Sequence, residues 1–141
     1  MDDVPPQGDL AGYADRFAEQ TYADNEPVVI GLIAEAACRG FVYGKSQVEY
    51  NKVDWRLEIP EALFARLQRI ASAYVLHLLP AIDVYTDTLL TPEQCATLGE
   101  ELAFVRSVVK DDLLNRYLIR FSDIIAEGHR SSTRRLVLCG P

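Results

Sequence analysis

The densest gathering of chemistry-bearing side chains is Gly128-His129-Arg130-Ser131-Ser132-Thr133-Arg134-Arg135, the only basic cluster in a chain of 141 residues and formal net charge −7. Guanidiniums and hydroxyls at this density make charge-assisted hydrogen bonds to a carboxylate or phosphate. His129, Arg130, Arg134 and Arg135 are therefore the candidate anion-binding residues. The competing role is a solvated turn whose arginines pair with the chain's own acids. His77 and His129 are the only imidazoles. His77 has no acid or second histidine at i+3 or i+4, so its helix offers no metal pair, and general-base work would need a carboxylate from elsewhere.

Paired carboxylates occur at Glu100-Glu101 and Asp111-Asp112. Neighbours on a helix point apart. Asp111 and Asp112 are expected to serve a helix N-terminus, where negative charge is favoured, and Glu100-Glu101 to form the wet side of a helix. Cys38, Cys95 and Cys139 are odd in number and far apart. They predict buried free thiols, with neither a disulfide framework nor a zinc site. Cys95 falls near a helix start, where a thiolate would be stabilised, but it also shares the apolar stripe of Leu98, which predicts packing against Leu90. Gly40-Phe41-Val42-Tyr43-Gly44-Lys45-Ser46 resembles a phosphate-binding P-loop but has three residues between its glycines where four are required. No helix signal follows it, so a hairpin turn accounts for Gly44-Lys45-Ser46. No complete catalytic motif is present and no cofactor or metal is implied.

Apolar residues make up 49% and charged residues 25%, close to globular averages, which predicts one self-folding domain. The acids are unevenly spread: Asp2, Asp3, Asp9, Asp15, Glu19 and Asp24 stand against Arg16 alone in the first 25 residues. Such a segment repels phosphate backbones, so no nucleic-acid partner is expected, and it steers basic proteins toward this end of the chain. The opening residues lack a signal-peptide pattern and no apolar run reaches the ~18 residues of a membrane span, which predicts a cytoplasmic protein with no membrane association.

The elements that must carry these residues read as α+β. A flexible acidic lead-in over residues 1–8 precedes a single globular domain over 9–141. Leu10, Tyr13, Ala14, Phe17 and Thr21 predict an amphipathic helix over 10–23. Asn25-Glu26-Pro27 then predicts a second helix over 28–39, although Val28-Val29-Ile30 fits a buried strand as well. From Phe41 the period changes to two, giving a hairpin around Gly44 and a strand over 53–59. Val53, Trp55, Leu57 and Ile59 are expected on its buried face and Asp54, Arg56 and Glu58 on its wet face. A helix follows from Pro60, with Leu63, Phe64, Leu67, Ile70, Ala71, Tyr74, Val75 and Leu78 as one stripe ending before Pro80. Residues 82–90 read as irregular. Thr91-Pro92-Glu93-Gln94 is a capping box opening a helix, and Asp111-Asp112 opens the last helix, which Gly128 is expected to end. Residues 134–139 predict a terminal strand pairing with 53–59. The expected architecture is about five helices around a small antiparallel sheet of two to four strands.

These readings favour binding over catalysis. The first expectation is an acidic interaction module that binds and masks a basic protein partner, as an immunity protein or antitoxin does. Its contact residues would be Asp15, Glu19, Asp24, Asp83, Tyr85 and Asp87, the last three on a loop where a tyrosine anchor is ringed by acids. The alternative is a small-molecule-binding domain or compact enzyme holding an anion at Arg130, Arg134 and Arg135 with His129, for which Trp55 and Tyr43 lining a pocket beside those arginines would be the sign. A third is a homodimer formed along the open side of the terminal strand.

Overall fold

The computed structural model describes residues 26–34, 52–83 and 86–140. Their elements run β1 (Pro27–Ala34), β2 (Asp54–Pro60), α1 (Glu61–Ala73), α2 (Leu78–Ala81), β3 (Thr88–Leu90), α3 (Pro92–Val108), α4 (Asp112–Arg130) and β4 (Arg134–Cys139). The four strands form one antiparallel sheet in the order β2-β1-β4-β3. The class is the expected α+β, with four helices among the described residues. The expected lead-in over 1–8, the helix over 10–23 and the hairpin over 41–50 lie outside the described residues.

The segment read as a second helix is the strand β1, as far as residue 34. Its β-branched, unbroken apolar run suits a central strand buried on both faces, which β1 is, flanked by β2 and β4. Alternation then divides that run into two cores. Val28, Ile30 and Leu32 join Leu57, Ile59, Leu136 and Leu138 and the helices' inward side chains, among them Phe64, Leu98, Leu118 and Phe121. Val29 and Ile33 join Val53, Leu89, Val137 and Cys139 in a second cluster that, among the described residues, contains no helical side chain. Each fully buried Leu, Ile or Val contributes about 1.5–3 kcal/mol, so this division is the main source of the fold's stability.

Strand order corrects two further expectations. The terminal strand β4 does not pair with β2; it lies between β1 and β3, with Leu138 opposite both Ile30 and Thr88. An open side for a partner copy is therefore lacking along Leu136, Val137 and Leu138. The residues that close it are β3, which forms inside the stretch 82–90 read as irregular.

The pairing of β1 with β2 contains a bulge. Ile30 opposes Leu57 and Leu32 opposes Asp54, so Trp55 and Arg56 together face Gly31 alone. A Cβ at Gly31 would lie 2.5 Å from the Asp54 carbonyl oxygen and 2.5 Å from Val53 Cγ1, so only glycine fits this approach. The bulge also reverses the expected burial of Trp55: its φ is 58° and 49% of its surface is exposed. Leu57 and Ile59 are buried on one face as expected, whereas Val53 is buried in the second cluster.

The helices depart from expectation mainly at their ends. The stripe begun in α1 breaks at Ala73, after which Tyr74 and Val75 are exposed, Val75 with a φ of 61°. Pro80 falls within α2, whose four residues leave it no internal N–H to forfeit. Gly128 does not stop α4, which continues to Arg130; it lies against β1, where a Cβ would come 2.9 Å from Leu32 Cδ2. Asp111 caps α4 as expected, accepting the Leu114 N–H at 3.1 Å, and its second oxygen pairs with Arg66 of α1. Among the described residues no helix is long and apolar enough to cross a membrane.

Candidate functional site

The short helix α2 is too small to hold itself in place, and two side chains from longer helices fix its ends. Glu101 of α3 accepts the N–H groups of His77 at 3.1 Å, Leu78 at 2.9 Å and Leu79 at 2.8 Å. These are the donors a helix start leaves without internal partners, and a carboxylate beside the positive end of the helix suits them. Gln68 of α1 donates its amide to the carbonyls of Leu79 at 2.9 Å and Ile82 at 2.7 Å, fixing the other end. Glu101 is buried, so the expectation of a wet Glu100-Glu101 pair holds only for Glu100. His77 belongs to the turn before α2 and is exposed.

The start of α3 is fixed by its capping box: Thr91 Oγ1 accepts the Gln94 N–H at 3.1 Å and Gln94 Oε1 accepts the Thr91 N–H at 3.0 Å. Between α2, β3 and this capped start lies a cleft of about 320 Å³. Leu78, Ile82, Leu89 and Leu90 give it apolar walls, and Asp83, Thr86, Thr88 and Gln94 supply its polar groups. The Thr86 hydroxyl oxygen behind this wall has no solvent-accessible surface and, among the described residues, no hydrogen-bond partner. An unsatisfied buried hydroxyl costs about 1–3 kcal/mol, and a donor from outside reaches this one only when the cleft wall shifts. Among the described residues its lining includes one carboxylate and no basic side chain.

No family model, curated protein or solved structure matches this chain. Its chemistry is therefore carried by the residues themselves. Of those singled out as partner contacts, Asp83 lines the cleft and Asp87 directly precedes β3, while Tyr85, Asp15, Glu19 and Asp24 lie outside the described residues.

The arginine cluster divides between two elements. His129 and Arg130 are in the last turn of α4, not in a loop, and Arg134 and Arg135 open β4 opposite Ala34 and Ile33. Arg130 pairs with Glu127 at 2.8 Å. The Ser131 hydroxyl accepts the N–H groups of Thr133 at 3.2 Å and Arg134 at 3.1 Å, as a serine turn does. Trp55 lines a hollow with Arg56 and Arg120, and Tyr43 lies outside the described residues.

Cys95 and Cys139 are buried free thiols, as expected, and Cys38 lies outside the described residues. Burial raises the Cys95 thiol above its ordinary value, partly opposed by a hydrogen bond to the Leu136 backbone and the charge of Arg135. Burial, with the nearby Asp87 carboxylate, pushes Cys139 up to about 12 against the opposing charge of Arg56. Neither thiol is poised as a nucleophile at neutral pH. Among the described residues no group of three or more His, Cys, Asp or Glu side chains is placed to hold a metal ion.

The residues that build the cleft were only partly visible in the sequence. Glu101 follows Leu98 by three and precedes Val105 by four, which places it on the buried stripe, so the helical period itself carried the signal. Gln68 and Thr86 carried none, because their roles depend on carbonyls and packing brought together from distant parts of the chain.

Proposed function

We propose that this chain is a protein-interaction module that binds and masks a basic protein partner, seating a lysine or arginine side chain of that partner in the cleft between α2, β3 and α3. The observation that carries this reading is the cleft itself: about 320 Å³, apolar-walled, with the Asp83 carboxylate as its exposed acceptor and the Thr86 hydroxyl behind its wall, open to a donor that shifts that wall. That volume admits the aliphatic stem of a long cationic side chain, and the stem's burial would add to the charged contact. Asp87 directly precedes β3, outside the cleft's lining. The formal net charge of −7 favours rapid encounter with a basic surface, and Asp15, Glu19 and Asp24 would add to that steering. Masking a partner by charge and shape requires no cofactor and no reaction, which accords with an immunity-like or antitoxin-like inhibitor in the cytoplasm.

The test is affinity capture from native lysate at low ionic strength with elution by salt, comparing the native chain with an Asp83→Asn/Thr86→Val variant. The expected result is one basic protein retained at matched stoichiometry by the native chain and lost from the variant. Equal retention by both would remove the cleft from the interaction, and capture of acidic proteins alone would overturn the reading.

A further inference from the structure

At the other edge of the sheet the β2 bulge builds a second hollow. Trp55 and Arg56 are sequence neighbours that a regular strand would direct to opposite faces. Here both line one hollow of about 250 Å³ together with Arg120, Asp123 and Ile124 of α4. Arg120 also lines the adjoining hollow of about 240 Å³, with Arg116 and Tyr117 one turn earlier on α4. Arg120 and Asp123 are one helical turn apart on the same face, and neither forms an ion pair among the described residues.

The backbone conformation that produces this arrangement is costly. A tryptophan with a φ of 58° carries strain of about 1–3 kcal/mol, and its indole, 49% exposed, gains little burial in return. Bulges recur where a side chain must be re-aimed toward a site. Three chemistries meet here: a flat aromatic face, guanidiniums and a carboxylate. A simple anion would engage the arginines alone and be repelled by Asp123. An uncharged ring would engage only the indole.

We propose that the hollow between β2 and α4 binds a nucleoside phosphate, its base stacked on Trp55, its phosphates held by Arg120 with Arg56, and a ribose hydroxyl donating to Asp123. Base stacking on an aromatic side chain contributes about 1–3 kcal/mol, and guanidinium–phosphate bonds are among the stronger hydrogen bonds available. The shallow, open site sets the affinity at roughly tens to hundreds of micromolar. This inference does not depend on the cationic cleft.

The chain contains a single tryptophan, so its intrinsic fluorescence reports on Trp55 alone. The experiment is titration of that fluorescence with adenosine triphosphate, adenosine and inorganic tripolyphosphate, on the full chain and on Arg120→Gln, with circular dichroism confirming that the variant is folded. The expected result is a saturable change with the nucleotide, at least tenfold weaker responses to adenosine and to tripolyphosphate, and roughly tenfold weaker nucleotide binding in Arg120→Gln. No saturable change at millimolar nucleotide would overturn the proposal, as would equal binding of tripolyphosphate or an unaltered affinity in Arg120→Gln.

Discussion

Among the described residues β2 and β3 are the two edges of the sheet, and they are built by opposite means. At the β3 edge the cleft is shaped by side chains that satisfy backbone groups: the buried Glu101 holds the start of α2, the half-buried Gln68 its end, and the Thr91–Gln94 box the start of α3. At the β2 edge the hollow is shaped by the backbone itself, through the bulge at Trp55 and Arg56 opposite Gly31. The first edge presents the Asp83 carboxylate, and the second presents the arginines Arg56 and Arg120 with the Asp123 carboxylate. The two proposed sites therefore differ in the charges that line them. A site made by side-chain bonds should fail when one acceptor is removed, whereas a site made by a bulge should fail when the backbone can no longer bend.

Glu101→Ala is the strongest test of the first edge. It leaves three backbone N–H groups without their acceptor, and the expected loss of stability is about 3 kcal/mol, measured by urea unfolding. Glu101→Gln keeps a neutral acceptor and should lose less than half as much. Amide exchange at Leu78 and Leu79 should accelerate in both variants beyond any change at Leu136 or Val137. A uniform rise across the sheet would mean that α2 is not locally clamped.

Gly31→Ala tests the second edge. The added methyl would lie 2.5 Å from the Asp54 carbonyl oxygen and from Val53 Cγ1, so β1 and β2 must separate or the bulge must shift. About 1–3 kcal/mol of destabilisation is expected, with a changed Trp55 emission in the folded state. A stability loss with unaltered Trp55 emission would show that Gly31 does not set the indole's position.

How much of this was legible follows from the range over which each determinant acts. Local determinants were read correctly: the Thr91 capping box, the Asp111 cap, the strand expected over 53–59, which forms over 54–60, and the buried thiols Cys95 and Cys139. Val28-Val29-Ile30 was ambiguous because a short apolar run has no period. Its strand conformation depends on β2 and β4 flanking it, and β4 lies about a hundred residues later in the chain. Trp55 defeated the alternation rule because a bulge adds one residue to one strand, and nothing in its local sequence marks that insertion; a glycine normally would. The acids Asp83 and Asp87 were singled out as contact residues from their loop, and of the two Asp83 lines the cleft, whose walls needed Gln68 and Glu101, which meet α2 only in the folded chain.

The cysteines sharpen the comparison with pH. Cys139 lies within the electrostatic reach of Asp87, beside the first edge, and of Arg56, beside the second. Its thiol is pushed up to about 12 in the folded chain, from an ordinary value near 9 in the unfolded chain. Between these values the unfolded chain has released the proton that the folded chain still holds, so stability is intact below about pH 9 and declines as pH rises toward 12. Cys95, also raised, contributes in the same direction. Urea unfolding of the native chain and Cys139→Ala at pH 8 to 11 should show a shallower decline in the variant, because its thiol no longer ionises on unfolding; parallel declines would assign the effect to other groups.

The smallest expected effect separates stability from binding at the first edge. Thr86→Val replaces a hydroxyl that is buried and unpartnered with a methyl of similar size. Removing an unsatisfied polar group relieves a cost, so the isolated chain should be unchanged or more stable by up to about 1 kcal/mol. A partner side chain that shifts the cleft wall and donates to this hydroxyl would lose that bond, so affinity should fall by roughly fivefold to tenfold. The opposite signs are the test, because a purely structural threonine would move both quantities together. Thermal unfolding of the free chain beside calorimetric titration of the captured partner reads both. Lower stability in the free chain would show that the hydroxyl is already satisfied and that the cleft has no unfilled acceptor to offer.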